Sequence, residues 1–193
     1  MKDIKLCGLG NGLLDLQYEV DDEYLVRFGL NKGEMRLVSS EVQAEMINSV
    51  ENLKFNKSSG GSAANTIIAF AQFGGKSAYQ TTLGNDDFGW HYANEFKELG
   101  IELSTEFLPE VSTGTCLVLI TPDSERTMNT HLGASALFNT EHVNEDLIKR
   151  SEWIYLEGYK LTSESSADAV FKAIEIARIN NTKIAFTFSD VFV

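Results

Sequence analysis

Two glycine-rich stretches hold the residues best suited to chemistry. The first, Gly8-Leu9-Gly10-Asn11-Gly12-Leu13-Leu14-Asp15, follows an apolar run and superficially resembles a dinucleotide-binding turn. That reading needs Gly-x-Gly-x-x-Gly leading straight into a helix; the sixth position is Leu13 and no helical period follows, so the turn is not of that kind. It still presents Asn11 and Asp15 at the carboxyl end of a strand, where an amide and a carboxylate can grip vicinal hydroxyls. A plain turn with a solvated acid is the competing reading. The second stretch, Ser58-Ser59-Gly60-Gly61-Ser62-Ala63-Ala64-Asn65, opens an Ala-rich helix. Gly60 and Gly61 let a ligand approach the backbone, free amides at the helix start favour an oxygen-rich group, and Asn65 lies one turn in. Taken alone, the pair also reads as a simple turn.

The elements that must position these residues follow from periodicity. Strand-length apolar runs lie at Ile4–Leu9, Ser77–Leu83, Thr115–Thr121, Trp153–Leu156 and Lys183–Phe188, and helical stretches at Ala63–Phe73, Phe88–Leu99 and Ser165–Asn180. This alternation predicts an α/β fold with a mainly parallel central sheet. In the last helix Ala169, Val170, Ala173, Ile176 and Ala177 form an apolar stripe, and Ser163, Glu164 and Ser165 supply capping chemistry. Leu14–Val20 and Thr115–Ile120, the latter continuing to Arg126–Asn129, alternate apolar and polar. They are expected to form a small antiparallel flap, solvated on one face, that acts as a lid. The run Lys183–Phe188 reads as a core strand.

Composition narrows the function. With 193 residues, 43% hydrophobic and 23% charged, the chain suits one globular domain. The formal net charge of −12, with no segregated basic patch, argues against nucleic acid as a partner. No run of ~18 apolar residues offers a membrane span, and the start, Met1-Lys2-Asp3-Ile4, lacks a secretory pattern, so a cytoplasmic protein is expected. Cys7 and Cys116, each in an apolar segment, read as buried thiols of a reducing compartment. His91, His131 and His142 stand in polar neighbourhoods without metal-spaced partners and read as surface residues.

From Gly60 the chain continues as Gly-Gly-Ser-Ala-Ala-Asn-Thr, then Phe73-Gly74-Gly75, then Leu83-Gly84-Asn85-Asp86-Asp87-Phe88-Gly89. In residue types and spacing this resembles the first signature of the ribokinase-like (PfkB) carbohydrate kinase family. Gly10–Asp15 resembles that family's substrate loop. Thr113-Gly114-Thr115 with Pro122–Thr130 and Leu132-Gly133-Ala134 resembles its lid strand and return, and Tyr155–Tyr159 the segment before a later helix. The resemblance covers essentially the whole chain and is strongest to the adenosine-kinase-like or sugar-kinase branch.

It implies a ribokinase-like α/β sandwich with a β lid at about 13–38 and 113–131. It also implies transfer of the ATP γ-phosphoryl group, with Mg2+ and in some members K+, to a hydroxymethyl group of a sugar or nucleoside. By motif position Asn11, Asp15, Gly60, Gly61 and Asn65 would hold the substrate hydroxyls, and Arg126 would approach the transferred phosphoryl. Glu157 would contact substrate or help arrange a metal, or serve equally as a cap or salt-bridge partner. The Gly-Ala-Gly-Asp motif carrying the family's general base is not found, since Gly133-Ala134-Ser135 and Gly84-Asn85-Asp86 do not fit it, so no catalytic base and no metal ligand is named. The chain is therefore expected to be the N-terminal portion of such a kinase, truncated in its C-terminal half and inactive alone. A non-catalytic binding module and a homodimer paired through the lid are the alternatives.

Overall fold

The structure, a computed structural model, describes residues 2–190. The chain runs β1 (Ile4–Leu9), β2 (Leu13–Glu19), α1 (Asp22–Arg27), β3 (Met35–Leu37), α2 (Ser40–Val50) and β4 (Phe55–Gly60). It continues through α3 (Ser62–Gln72), β5 (Ser77–Gly84), α4 (Asp87–Glu98), β6 (Glu102–Leu108), β7 (Gly114–Ile120) and β8 (Arg126–His131). The last elements are α5 (Glu145–Arg150), β9 (Ser151–Glu157), α6 (Glu164–Ile179) and β10 (Lys183–Thr187).

The central five-stranded sheet has the order β10-β9-β1-β5-β6, and every neighbouring pair is parallel. Both faces are covered, as a parallel sheet requires. The stripe of α6 packs with Leu147 and Ile148 of α5 on Ile4, Cys7, Leu9, Ile154 and Leu156. On the opposite face Ala63, Ala64 and Ile67 of α3 and Tyr92 and Phe96 of α4 pack on Tyr79 and Leu83. Strand β5 is buried along its whole length although half its residues are polar. Part of that polarity is paired, since Gln80 Oε1 accepts from the Asn144 amide at 2.7 Å and Thr82 Oγ1 donates to the Ala134 carbonyl at 2.8 Å, while Ser77 Oγ and Thr81 Oγ1 are buried without a hydrogen-bond partner among the described residues. The run at Lys183 forms β10, which pairs with β9 at one end of the sheet among the described residues, with Lys183 and Phe186 exposed.

The second sheet, ordered β3-β8-β7-β2-β4, differs from the expected flap in two ways. It is mixed, because β2 pairs with β7 in parallel while β2–β4 and β7–β8 are antiparallel. Its apolar face, moreover, is covered by helices of its own. Leu14, Leu16, Tyr18, Leu117 and Leu119 pack beneath Leu25 of α1 and Met46 and Val50 of α2, two helices that the periodicity reading left out. Helix α2 starts at Ser39, whose Oγ accepts from the Val42 amide, and its buried Gln43 locks it to the sheet. Gln43 Nε2 donates to the Thr115 and Asn129 carbonyls at 3.1 and 2.9 Å, and its Oε1 accepts from the Thr115 hydroxyl at 2.6 Å. A buried amide with three partners fixes a register that apolar contacts alone would leave loose.

Two smaller expectations are corrected. Ser163 stands at the N-cap of α6 but its side chain does not cap the helix; its hydroxyl pairs with Ser166 Oγ at 2.7 Å. His142 is not a surface residue: its side chain is 12% exposed, packs on Phe138, and accepts through Nδ1 from the Asn139 amide at 3.0 Å.

Candidate functional site

The carboxyl ends of β1 and β9 and the start of α3 face one side of the second sheet across a cleft of about 240 Å³. Gly10 makes the crossing possible. A Cβ there would lie 2.7 Å from Glu157 Cδ and 2.8 Å from Ala63 Cβ, so only glycine lets the β1–β2 turn pass between them. Asn11 follows, with its backbone fully engaged: its amide donates to Glu157 Oε1 at 2.7 Å and its carbonyl accepts from Tyr79 Oη at 3.0 Å. Its side chain lines the cleft.

Gly60 ends β4 rather than forming a turn, and Gly61 occupies the N-cap of α3 with φ +105°. No side chain caps this helix. The missing acceptor comes from across the fold, where Glu157 Oε2 accepts from the Ala63 amide at 2.8 Å. Glu157, 0% exposed, is thus a cap for α3 and a clamp on the Asn11 turn at the same time. Burial raises its pKa, opposed by the two backbone amides and by Lys160.

Asp15 projects from β2 into the cleft. Burial pushes its carboxyl up to about 6, against the pull of Arg126, whose Nη2 stands 3.7 Å from Oδ2. Asp15 lies beside Ser58 and Cys116 in the sheet register, and Gly60 leaves room for its carboxylate, since a Cβ on Gly60 would meet Oδ1 at 2.6 Å. The structure therefore brings Asn11, Asp15, Gly61, Asn65, Arg126 and Glu157 to one cleft, with Gly60 just behind Asp15. His131 does not line it.

The apolar part of the cleft was missed in the sequence. Met35 and Leu37 of β3, Met128 of β8, Cys116 of β7, and Leu13, Leu132 and Tyr159 line it. Strand register assembles them, with Met35 opposite Met128 and Cys116 opposite Thr130. Asn11, Asn65 and Glu157 come from the β1–β2 turn, α3 and the end of β9, while Asp15 and Arg126 project from the second sheet among the apolar side chains. Such a mixed lining offers hydrogen-bonding groups and apolar surface to one ligand. Among the described residues no three His, Cys, Asp or Glu side chains gather to hold a metal ion.

The pfkB family carbohydrate kinase model matches residues 24–193. The chain belongs to this family. As a pfkB member it is 31% identical to an adenosine kinase of Saccharomyces cerevisiae over 196 residues, covering 97% of this chain and 57% of that protein. It is 30% identical to a 5-dehydro-2-deoxygluconokinase of Clostridium tetani over 142 residues, 70% of this chain and 41% of the relative. Among solved structures, an adenosine kinase from Sinorhizobium meliloti superposes with a TM-score of 0.91 at 31% identity, covering 100% of this chain and 58% of that one. The chain thus spans 57–58% of the length of the two adenosine kinases and 41% of the 5-dehydro-2-deoxygluconokinase. The expected α/β fold with its parallel central sheet stands.

The thiols of this pfkB chain are predicted to be inert. Burial pushes Cys7 up to about 11 and Cys116, in the cleft wall, up to about 12, so neither supplies thiolate near neutrality. A thiol reagent at pH 8 should label both at least about tenfold more slowly in the native chain than in denaturant. Rapid native labelling of Cys116 would show a more open cleft.

Proposed function

We propose that this chain is the substrate-binding part of an ATP-dependent kinase that phosphorylates the hydroxymethyl group of a nucleoside of the adenosine type. The observation that carries this reading is the mixed lining of the cleft. Asn11, Asp15 and Asn65 line it together with the apolar side chains of Met35, Leu37, Met128 and Leu132. Asn11 and Asn65 can donate and accept, and ionised Asp15 accepts from two adjacent hydroxyls, which suits a ribose. The apolar wall suits a base and excludes water from the reacting end.

ATP supplies the phosphoryl group when bound, with Mg2+ neutralising part of its charge. Arg126, half-exposed at the cleft mouth beside Asp15, is the residue here that faces the developing phosphoryl charge. We place the general base outside the residues of this chain, in the remainder of the whole protein, because none of the cleft side chains sits in a glycine-rich anion hole.

Calorimetric titration of the chain with adenosine and with ribose tests the reading: adenosine should bind more tightly by at least about tenfold, as burial of an aromatic base requires. Equal affinity, or ribose alone binding, would show a sugar kinase. In the whole protein, Arg126→Gln should lower turnover by roughly 10²–10³ while changing nucleoside affinity by less than about tenfold. Because Arg126 holds the Asp15 pKa down, the acid limb of the pH profile should also move to higher pH. Loss of affinity with unchanged turnover would assign Arg126 to binding instead.

A further inference from the structure

Lys160 is 1% exposed and does not line the cleft. Its Nζ donates to the Ser135 carbonyl at 2.6 Å and lies 5.1 Å from the centroid of the Phe138 ring. It is the third residue of the 3-10 turn Gly158–Thr162, whose N-cap is Glu157 at the end of β9, so the two buried side chains lie one turn apart in the chain. A buried ammonium is costly unless something compensates its charge. The groups around it supply one anion, the carboxylate of Glu157, whose attraction for Lys160 acts through protein rather than water.

Glu157 needs this cation for a specific reason. Each of its oxygens accepts one backbone amide, Oε1 from Asn11 and Oε2 from Ala63. Protonation would turn one oxygen into a donor facing an N–H, and one of the two contacts would be lost. Burial favours that protonation, and the fixed positive charge opposes it. We propose that Lys160 is a positioning residue of the cleft, which keeps Glu157 an anion and thereby holds the Asn11 turn and the first turn of α3 at their binding separation. A bland alternative is that Lys160 only ties the turn Gly133–Leu137 to the fold through Ser135.

Lys160→Gln separates the two, because it retains a donor for the Ser135 carbonyl and removes the charge. Amide hydrogen exchange at Asn11 and Ala63, read on the chain without ligand, should accelerate about tenfold or more in K160Q, while the β5 amides change less than twofold. In the Glu157→Gln background, adding K160Q should change exchange at these amides less than twofold, since the charge has lost its object. Exchange at Asn11 and Ala63 as in the unmutated chain would overturn the proposal and leave Lys160 a tie for Ser135.

Should K160Q fail to fold, the unmutated chain gives the answer through the amide chemical shifts of Asn11 and Ala63 between pH 7 and 9.5. That range spans the ionisation of Lys160, which burial brings down to about 8. Glu157 faces Lys160 from β9, while Tyr79 and Tyr92 face Glu157 from β5 and α4. Both phenols are held well above their usual range by burial, Cys116 titrates near 12, and Asp15 titrates below the window. A shared inflection near 8 supports the proposal; flat shifts overturn it. The effect on binding rests on the nucleoside reading, and the two fail separately: accelerated exchange in K160Q with no nucleoside bound by any variant would retain the positioning role and refute the proposed function.

Discussion

Asp15→Asn is expected to raise the melting temperature of the ligand-free chain at pH 7.5 and to destroy its affinity for nucleoside. Both effects come from one carboxylate held where burial opposes its charge. The Asp15 pKa moves from 3.8 to about 6 on folding, so between those values the folded chain binds more protons than the unfolded one. Its contribution to stability is complete below the unfolded value and is lost as pH rises through about 6. At pH 7.5 the ionised group then costs about 2–3 kcal/mol. A neutral isostere removes that cost, worth about 5 °C or more in a chain of this size. Arg126 loses its partner in the variant, but its side chain is 50% exposed and that contact is worth little. Hydroxyls bound to a charged acceptor contribute about 1.5–3 kcal/mol each, so losing the anion should weaken nucleoside binding by about 10²-fold or more. Melting curves at pH 7.5 and 4.5, with calorimetry at pH 7.5, check both halves. The gain in melting temperature should shrink sharply at pH 4.5, where the unmutated carboxyl is already protonated in the folded chain. A variant that melts lower at pH 7.5 would mean that Asp15 is a structural acid and that the cleft carries no stored electrostatic cost.

That stored cost explains why much of the site was readable before the fold was known. Asn11, Gly60, Gly61, Asn65 and Glu157 lie in the turn after β1, at strand ends or at a helix start, and Asp15 lies within β2, positions where residue type departs from what packing alone would select. A carboxylate between leucines in β2 and two glycines ahead of an Ala-rich helix break local rules, and such breaks cluster at sites. The central strands were equally plain because each is an apolar run between helical stretches. Strand β6 was missed, since Glu102–Leu108 is an edge with exposed or half-buried residues and no strong apolar run.

The second sheet failed for a different reason. Alternation in Leu14-Asp15-Leu16-Gln17-Tyr18 shows that the two faces differ; it does not show that one of them is wet. Here the apolar face lies under α1 and α2, and the polar face lines a cleft. The signal for α2 was present, with Ser39 as cap and Val42, Met46 and Val50 on a helical period, but its core-facing stripe is interrupted by the buried amide of Gln43. The apolar wall had no local signal at all. Met35 of β3 lies far in the chain from Cys116 and Met128 of the consecutive strands β7 and β8, and strand register brings the three together.

Gly60 and Gly61 look equivalent in the sequence, and substituting each by alanine should separate them. At Gly61 the backbone has φ +105°, a region that L residues rarely adopt, and an added Cβ would overlap the Asn11 carbonyl oxygen. That oxygen is also held by Tyr79 Oη, and the Asn11 amide by Glu157, so neither partner can give way. The strain, about 1–3 kcal/mol from the backbone conformation alone, must be relieved by moving the start of α3 away from the Asn11 turn. Gly61→Ala should therefore lose about 5–10 °C in melting temperature and weaken nucleoside binding by at least about 10²-fold, because the groups that meet across the cleft are parted. At Gly60 the atoms nearest the added methyl are those of the Asp15 carboxylate, at 2.6 Å, and a side chain can turn where a backbone cannot. Gly60→Ala should melt within about 2 °C of the unmutated chain while still weakening binding by about tenfold or more, through displacement of Asp15. Thermal melts and calorimetry on the two variants decide the matter. Equal loss of stability in both would mean that the Asn11 turn yields and that Gly61 is not the fixed point of the cleft; unchanged binding in G60A would remove Asp15 from the ligand's contacts.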